Sequence, residues 1–484
     1  MTLARASLLG TLLLYFFLTL TYVTGTPVQE FYLPDSVPQA QRSTSVLAGL
    51  GPDEKEYLIY VRSLAETGRV PRPTAEQRKS DSEFICYQAQ HPPLFFLLSV
   101  PLWKAFGSQG VLFWTLWRSL CVLLGAAAIA LAAKAARLVF PESKLVALCA
   151  APLMAFVPIF NHLMGHVSNE PLAMALGAGA WLMTVRLCRE GRAPSSKQAL
   201  LLGLVLGLAL LTRLTSVIWC LAVGIALGMT FKKQSLKPLA LALSVAFVLL
   251  SPWLLHNFTN YGKPLIRPFD NPLLANGATL TDFLGAGIRP QGSPTQFTPL
   301  ITVLFWAATG WTPFWLIGSL LPGSYDGMVQ NAAYLLLVDL AIGLTLFWNA
   351  SQVRRKLAPS DPVIRAALWA AGSVLLFLIA VVLQQMLLVD WNVLQSAGRY
   401  FTAAAPLLML LFLTALEAVT RKLPTNAKLA VGGIAALTLF LASLHTTSLV
   451  RQFYVGNPTQ KKWQKLAPAG SGRAYIVSDT DDSG

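Results

Sequence analysis

Long apolar segments separated by short basic links dominate this sequence of 484 residues, of which 55% are hydrophobic and only 12% charged. A helix that crosses the hydrocarbon core of a bilayer needs about 20 mostly apolar residues, and many of the segments approach or reach that length. The charged fraction is about half of the roughly 25% that is typical of soluble domains. The pattern therefore predicts an all-α, polytopic membrane protein.

The net charge of +15 does not indicate nucleic-acid binding, because Lys and Arg gather in the links between apolar segments. This is the distribution that the positive-inside rule describes for cytoplasmic loops. The basic links are 134–144, 186–197, 232–237, 354–356 and 421–428. We place all of them in the cytoplasm, together with Arg5, and expect no nucleic-acid partner.

This orientation predicts about eleven transmembrane helices, with the N-terminus inside and the C-terminal tail outside. The predicted spans are 6–24, 110–133, 145–161, 170–186, 198–212, 215–231, 237–255, 327–349, 363–387, 401–419 and 428–447. Two more apolar segments, 92–107 and 298–322, are interrupted by Pro or Gly and are rich in Trp and Phe. We predict that these form helices at the outer interface. Residues 1–465 would then form one transmembrane domain, followed by a loose tail over 466–484.

The polar residues that could do chemistry fall in the predicted outer loops 25–91, 161–170, 256–326 and 388–400. In the first loop, apolar residues recur at helical spacing over 53–67, which predicts an amphipathic helix that ends at Gly68. Asp53 would start this helix, either as an N-cap or as a catalytic carboxylate. Glu54 would lie in its first turn, exposed to solvent and favoured by the helix dipole.

Several motifs in these loops resemble those of the GT-C membrane glycosyltransferases. Asp53-Glu54-x-x-Tyr57, then Glu66-Thr67-Gly68, then His91-Pro92-Pro93-Leu94-Phe95-Phe96 resembles the first outer loop of bacterial lipid A aminoarabinose transferases and protein O-mannosyltransferases. The further motifs that resemble this family are Gly203-Leu-Val-Leu-Gly207 running to Thr212-Arg213, Pro252-Trp253 followed by His256-Asn257, and Gly398-Arg399-Tyr400. His256 stands where an Arg is expected, which puts a permanent phosphate-binding charge there in doubt.

The resemblance implies a GT-C-like fold that transfers a sugar from a polyprenyl-phosphate donor to an acceptor hydroxyl, with inversion, on the outer face of the membrane. The acceptor would be a lipid, a glycan or a protein, and Asp53 would be the general base, a task for one positioned carboxylate. No cofactor is expected, since the lipid-linked sugar is the activated substrate and the chain lacks a P-loop and a Rossmann glycine fingerprint. The implied location is a bacterial inner (plasma) membrane, with the site on the periplasmic or extracellular side and membrane lipids around it.

Further residues are candidates for contacts with the substrates. Glu170 is the second carboxylate candidate and could orient acceptor or sugar hydroxyls. Arg213 and Arg399 lie at outer helix ends and could bind the departing phosphate, because a planar guanidinium matches two oxygens. Snorkelling to the headgroup layer explains both equally well. Arg118 could line the same vestibule, snorkel, or make a cation–π contact. The remaining substrate-binding candidates are Glu54, His91, His166, His256 and Tyr400.

A metal site is a weaker interpretation. His162, His166 and Glu170 follow one another at i, i+4 spacing and would share one face if they were helical, an arrangement that could bind zinc. Asn and Gly interrupt this run, however, and no HExxH motif is present. We therefore predict a metal-independent mechanism.

Two other functions fit the sequence less well. A lipid or polyprenyl-phosphate transporter without covalent chemistry should show inverted repeats and broken helices near the bilayer midplane. Only Asp339, in the middle of a predicted span, favours this, and we predict instead that it is protonated or hydrogen-bonded to a neighbouring helix. A noncatalytic assembly partner would tolerate loss of Asp53.

Overall fold

The computed structural model describes residues 3–26, 28–32, 45–49, 54–71, 89, 91–265, 361–388 and 402–456. Several predictions lie outside the described residues: Asp53, Asp339, Arg399, Tyr400, the interfacial segment 298–322, the span 327–349 and the tail 466–484.

The described chain is mostly helical. Its helices are α1 (Leu3–Gly25), α2 (Glu54–Thr67), α3 (Leu94–Phe106), α4 (Val111–Val139), α5 (Lys144–Ala155), α6 (Pro158–Gly165), α7 (Glu170–Glu190), α8 (Ser196–Thr212), α9 (Val217–Phe231), α10 (Leu236–Tyr261), α11 (Pro362–Leu388), α12 (Ala405–Thr420) and α13 (Thr425–Gly456). The all-α prediction missed one small sheet, in which β1 (Val28–Tyr32) pairs antiparallel with β2 (Ser45–Gly49). Both strands lie in the first predicted outer loop, and residues such as Val28 and Phe31 favour a pleated strand.

Five helical segments of the described chain are long and apolar enough to cross a membrane, or six if the bent pair α5–α6 counts as one span. These segments are Leu3–Gly25, Val111–Val139, Glu170–Glu190, Leu214–Tyr261 and Thr425–Ser448. The Leu214–Tyr261 segment joins α9 and α10, for which the sequence predicts two spans. The protein is thus an integral membrane protein, as predicted.

The predicted span 145–161 is not a single helix. Helices α5 and α6 meet at 57°, and Pro158 is the first residue of α6, where a residue without an N–H is tolerated. Helix α6 ends at Gly165, and His166 is extended with φ −115° and ψ 163°. His162, His166 and Glu170 therefore do not lie on one helix, so the condition for one shared face is not met.

One end of the helical bundle collects the basic links that the structure describes. Arg189 Nε donates to the carbonyl of Leu138 at 2.5 Å, and Arg189 Nη1 pairs with Asp361 at 2.6 Å. Thr230 donates to Cys188 Sγ at 3.3 Å, which brings the link after α9 to the same end. Arg118 lies near the opposite end of α4, about 30 Å along the helix from Leu138 at 1.5 Å per residue. The described helices thus agree with the predicted topology, in which the basic links share one side.

Helix α2 is held on the bundle by an aromatic cluster. The Tyr60 and Phe96 rings stack at 3.8 Å, and the Phe95 and Trp117 rings lie parallel at 6.1 Å. The predicted apolar face of α2 is buried here, and Gly68 ends the helix with φ +67°, a conformation that favours glycine. The prediction of this helix and its end is confirmed.

Candidate active site

A buried ion pair joins the start of α2 to α4. The carboxylate of Glu54 accepts from Arg118 twice, from Nε at 2.8 Å and from Nη2 at 2.6 Å. The exposed fraction is 0% for Glu54 and 1% for Arg118. The expectation that Glu54 is solvated was wrong, because the first residue of helix α2 faces the bundle, where its carboxylate pairs with the Arg118 guanidinium.

Arg118 also fixes the end of α1. Its Nη1 donates to the carbonyls of Thr26 at 2.8 Å and Val23 at 3.2 Å, and its guanidinium lies 5.6 Å from the centre of the Trp114 ring. Four hydrogen bonds to protein groups occupy a side chain that has five N–H donors. Arg118 is therefore built as an anchor between helices and does not snorkel. Its contact with substrate stays a prediction.

The loop His166–Asn169 connects to this pair. Glu54 Oε1 accepts from the backbone N–H of Val167 at 2.9 Å. His166 Nδ1 lies 2.7 Å from the carbonyl of His162, and its Nε2 lies 2.8 Å from Thr26 Oγ1. A carbonyl can only accept, so Nδ1 carries the proton. Burial, and then the charge of Arg118, lower the pKa of His166 to about 3. The neutral ring therefore accepts from the Thr26 hydroxyl through Nε2.

The other end of this loop holds a second buried ion pair. Arg213 Nη1 pairs with Glu170 Oε1 at 2.8 Å and donates to Asn169 Oδ1 at 2.9 Å. Asn169 Nδ2 donates in turn to the carbonyl of Thr212 at 3.2 Å. Asn169 occupies the N-cap position of α7 but makes no capping hydrogen bond, because its side chain is committed to the end of α8. Arg213 is 3% exposed, so simple snorkelling does not describe it.

The position of Arg213 depends on close packing between α8 and α10. A Cβ added to Gly203 would lie 2.5 Å from the carbonyl oxygen of Ala242, and one added to Gly207 would lie 2.6 Å from Leu249 Cδ1. Small residues four apart allow two helix backbones to approach in this way. The Gly-x-x-x-Gly motif thus brings α8 against α10, and α8 ends at Thr212, next to the second ion pair.

The structure brings five of the predicted site residues to the two ends of the buried loop His166–Asn169: Glu54, Arg118 and His166 at one end, and Glu170 and Arg213 at the other. His91 lies at the edge of α2, where its carbonyl accepts from the Tyr60 hydroxyl at 3.0 Å. His256 stacks on Trp253 with ring centroids 5.1 Å apart and contacts Asn260 at 3.2 Å, both on its own helix α10. Asp53, Arg399 and Tyr400 lie outside the described residues, although Asp53 directly precedes Glu54 in the chain.

Two residues of this arrangement were missed by sequence reasoning, Thr26 and Asn169. Thr26 follows the last residue of α1 and belongs to no motif that would have singled it out. Asn169 directly precedes Glu170-Pro171, and an Asn in this position is typical of an ordinary helix N-cap. The described residues contain no group of three or more His, Cys, Asp or Glu side chains placed to hold a metal ion.

Residues 90–256, about a third of the chain, match the sequence profile of the family described as dolichyl-phosphate-mannose-protein mannosyltransferase. That segment contains Arg118, His166, Glu170 and Arg213, whereas Glu54 precedes it in the chain. A search of curated protein sequences gave no significant match.

Solved structures of low sequence identity also resemble the chain. An oligosaccharyltransferase from Archaeoglobus fulgidus, in complex with zinc and sulfate, has a TM-score of 0.49 and 14% identity over 97% of this chain. ArnT from Cupriavidus metallidurans, bound to undecaprenyl phosphate, has a TM-score of 0.46 and 16% identity over 96% of this chain. The chain spans 58% of the oligosaccharyltransferase chain and 81% of the ArnT chain. These similarities are too low to carry an argument about function.

The resemblance that the outer-loop motifs predict is confirmed by the family match, and over residues 90–256 this chain carries the sequence pattern of the mannosyltransferases in the GT-C class of membrane glycosyltransferases.

Proposed function

We propose that the protein transfers a sugar from a polyprenyl-phosphate donor to an acceptor hydroxyl at the end of the bundle opposite its basic links. The observation that carries this proposal is the placement of the family-matched segment. It contributes Arg118, the loop His166–Asn169, Glu170 and Arg213 to one buried polar network. That network takes its remaining carboxylate from Glu54, the residue after Asp53.

Asp53 is the general base in this proposal. Its carboxylate takes the proton of the acceptor hydroxyl while the oxygen attacks the anomeric carbon, and the bond from that carbon to the phosphate oxygen breaks. Glu54 is excluded from this task because Arg118 and the N–H of Val167 already occupy its oxygens. The Glu54–Arg118 pair instead fixes the start of α2, and so fixes the backbone to which Asp53 is joined.

Arg213 receives the departing phosphate in this proposal. Its Nε and Nη1 contact Thr215, Asn169 and Glu170, whereas Nη2 makes no hydrogen bond to the described residues. The N–H groups of Nη2 are therefore the ones that would donate to a phosphate oxygen. Glu170 and Asn169 orient the group, so Glu170 acts here through Arg213 rather than by removing a proton.

The test is transfer of sugar from a synthetic polyprenyl-phosphate mannose to acceptors added to purified protein, followed by mass spectrometry. Asp53→Asn should abolish transfer while donor binding is retained. Asp81→Asn, an acid of the same predicted outer loop, is the matched control and should keep full activity. Transfer by Asp53→Asn at the wild-type rate would remove this residue from the mechanism.

Donor binding is a separate measurement. Arg213→Ala should weaken binding of the polyprenyl-phosphate sugar by about tenfold or more, the cost of one hydrogen bond to a charged group. Binding at wild-type affinity would leave Arg213 with a purely structural role. Mass spectrometry of lipids that copurify with the wild-type protein would identify the donor directly, and a phospholipid-only profile from an active preparation would argue against a stable donor complex.

A further inference from the structure

A cavity lies at the basic end of the bundle, far from the ion pairs of Arg118 and Arg213. It has a volume of about 500 Å³ and lies between the loop that follows α4, the starts of α5, α11 and α13, and the end of α12. Its apolar wall includes Phe140, Leu145, Ile364 and Leu429. Pockets of 300–1,000 Å³ with apolar walls and a few polar groups are typical of ligand sites.

The acidic groups of the cavity are largely committed to protein partners. Asp361 pairs with Arg189 at 2.6 Å and accepts from the N–H of Val363 at 2.8 Å. Glu417 is hydrogen-bonded to Ser143, and its other oxygen lies 3.8 Å from Lys428 Nζ. These contacts neutralise two of the three carboxylates that line the cavity, so only Glu142 retains an unpaired negative charge among the described residues.

Two cations of the lining have no such partner. Lys144 and Arg421 are exposed side chains that make no ion pair with the described residues. The same rim contains the first residues of α5 and α13, and helix N-termini add partial positive charge. Two such cations against the single carboxylate of Glu142 leave the described lining with a net positive charge beside its apolar wall.

We propose that this cavity binds the phosphate headgroup of an anionic phospholipid. Arg421 and Lys144 would contact the phosphate oxygens, and the glycerol and upper acyl carbons would pack on Phe140 and Leu429. A basic pocket between membrane helices suits such headgroups. A soluble phosphate would use the rim but leave the apolar wall uncovered, which favours the lipid. This site is independent of the proposed transfer reaction.

The experiment compares lipid binding to the purified full-length protein in a neutral detergent, by thermal unfolding and by native mass spectrometry. Phosphatidylglycerol should raise the unfolding temperature, and phosphatidylcholine with the same acyl chains should not. Arg421→Gln and Lys144→Gln should each weaken phosphatidylglycerol binding by about tenfold, the loss of one charge-assisted contact. Both side chains are exposed and make no ion pair with the described residues, so both variants should fold.

Lys422→Gln is the matched control, because Lys422 is the exposed neighbour of Arg421 but does not line the cavity. It should bind phosphatidylglycerol as the wild type does. The proposal is overturned if Arg421→Gln and Lys422→Gln bind equally well, or if both lipids bind with one affinity. Equal stabilisation by soluble glycerol phosphate would overturn the assignment to a lipid.

Discussion

Replacement of Glu54 by Gln tests the buried network most directly. The change removes the negative charge opposite Arg118, whose side chain is 1% exposed and 2.6 Å from Glu54 Oε2. Removal of one partner of a buried ion pair typically costs about 3–5 kcal/mol, because the other charge is left without compensation. The new amide group would also place N–H donors against those of the guanidinium. We therefore expect Glu54→Gln to lower the free energy of unfolding by about 3 kcal/mol or more.

The assay is unfolding in mixed micelles of sodium dodecyl sulfate and a neutral detergent, followed by tryptophan fluorescence. Glu190→Gln is the matched control. Glu190 also pairs with an Arg, Arg186, at 3.0 Å, but the Glu190 side chain is 45% exposed and the Arg186 side chain is 72% exposed. Exposed pairs of this kind contribute about 0.5 kcal/mol or less. If Glu54→Gln costs no more than Glu190→Gln, the Glu54–Arg118 pair does not hold the start of α2 and the reasoning above fails.

Three other predictions concern packing, pH and the orientation of Arg213. Gly203→Ala should destabilise the protein by about 1–3 kcal/mol, since a Cβ there meets the backbone of α10; Gly228→Ala, with open space around it, should be tolerated, and equal losses in the two variants would contradict the close packing. The pKa of His166 is lowered in the folded protein, so below about pH 6.5 the unfolded chain binds a proton that the folded protein does not. The free energy of unfolding should therefore decrease as the pH falls through this range, by up to roughly 1.4 kcal/mol per pH unit. His166→Asn should flatten this pH profile, and an unchanged slope would show that another group is responsible. Asn169→Ala should weaken polyprenyl-phosphate donor binding about tenfold, whereas Asn161→Ala, which removes a buried amide bonded to Ser443, should affect only stability.

The sequence was most informative where one physical constraint dominates. The membrane class follows from apolar length and sparse charge, and the shared side of the basic links follows from charge placement. The helix of residues 54–67 and its end at Gly68 follow from apolar periodicity and glycine conformation. These features depend on neighbours in the sequence, so they are visible before any tertiary contact is known.

The sequence predicted the burial and the partners of individual charged residues less well. Glu54 and Glu56 occupy the same first turn, and spacing alone predicts solvent exposure for both. The burial of Glu54 requires a partner 64 residues away on another helix. Likewise, the sequence around Asn169 predicts a helix N-cap, whereas the structure shows its side chain bonded to the carbonyl of Thr212 at the end of α8. The end of α6 at Gly165 and the extended backbone at His166 also separate His162, His166 and Glu170, so they do not share one helix face.

The sequence by itself determined that this is a membrane protein of apolar helices joined by basic links, and which family pattern residues 90–256 carry. Only the tertiary structure decided which carboxylate pairs with which guanidinium. The physical reason is that a buried charge is tolerated only with a partner, and partners distant in the chain are chosen by helix packing. Packing contacts such as that between Gly203 and Ala242 therefore govern where Arg213 lies, although neither residue carries charge.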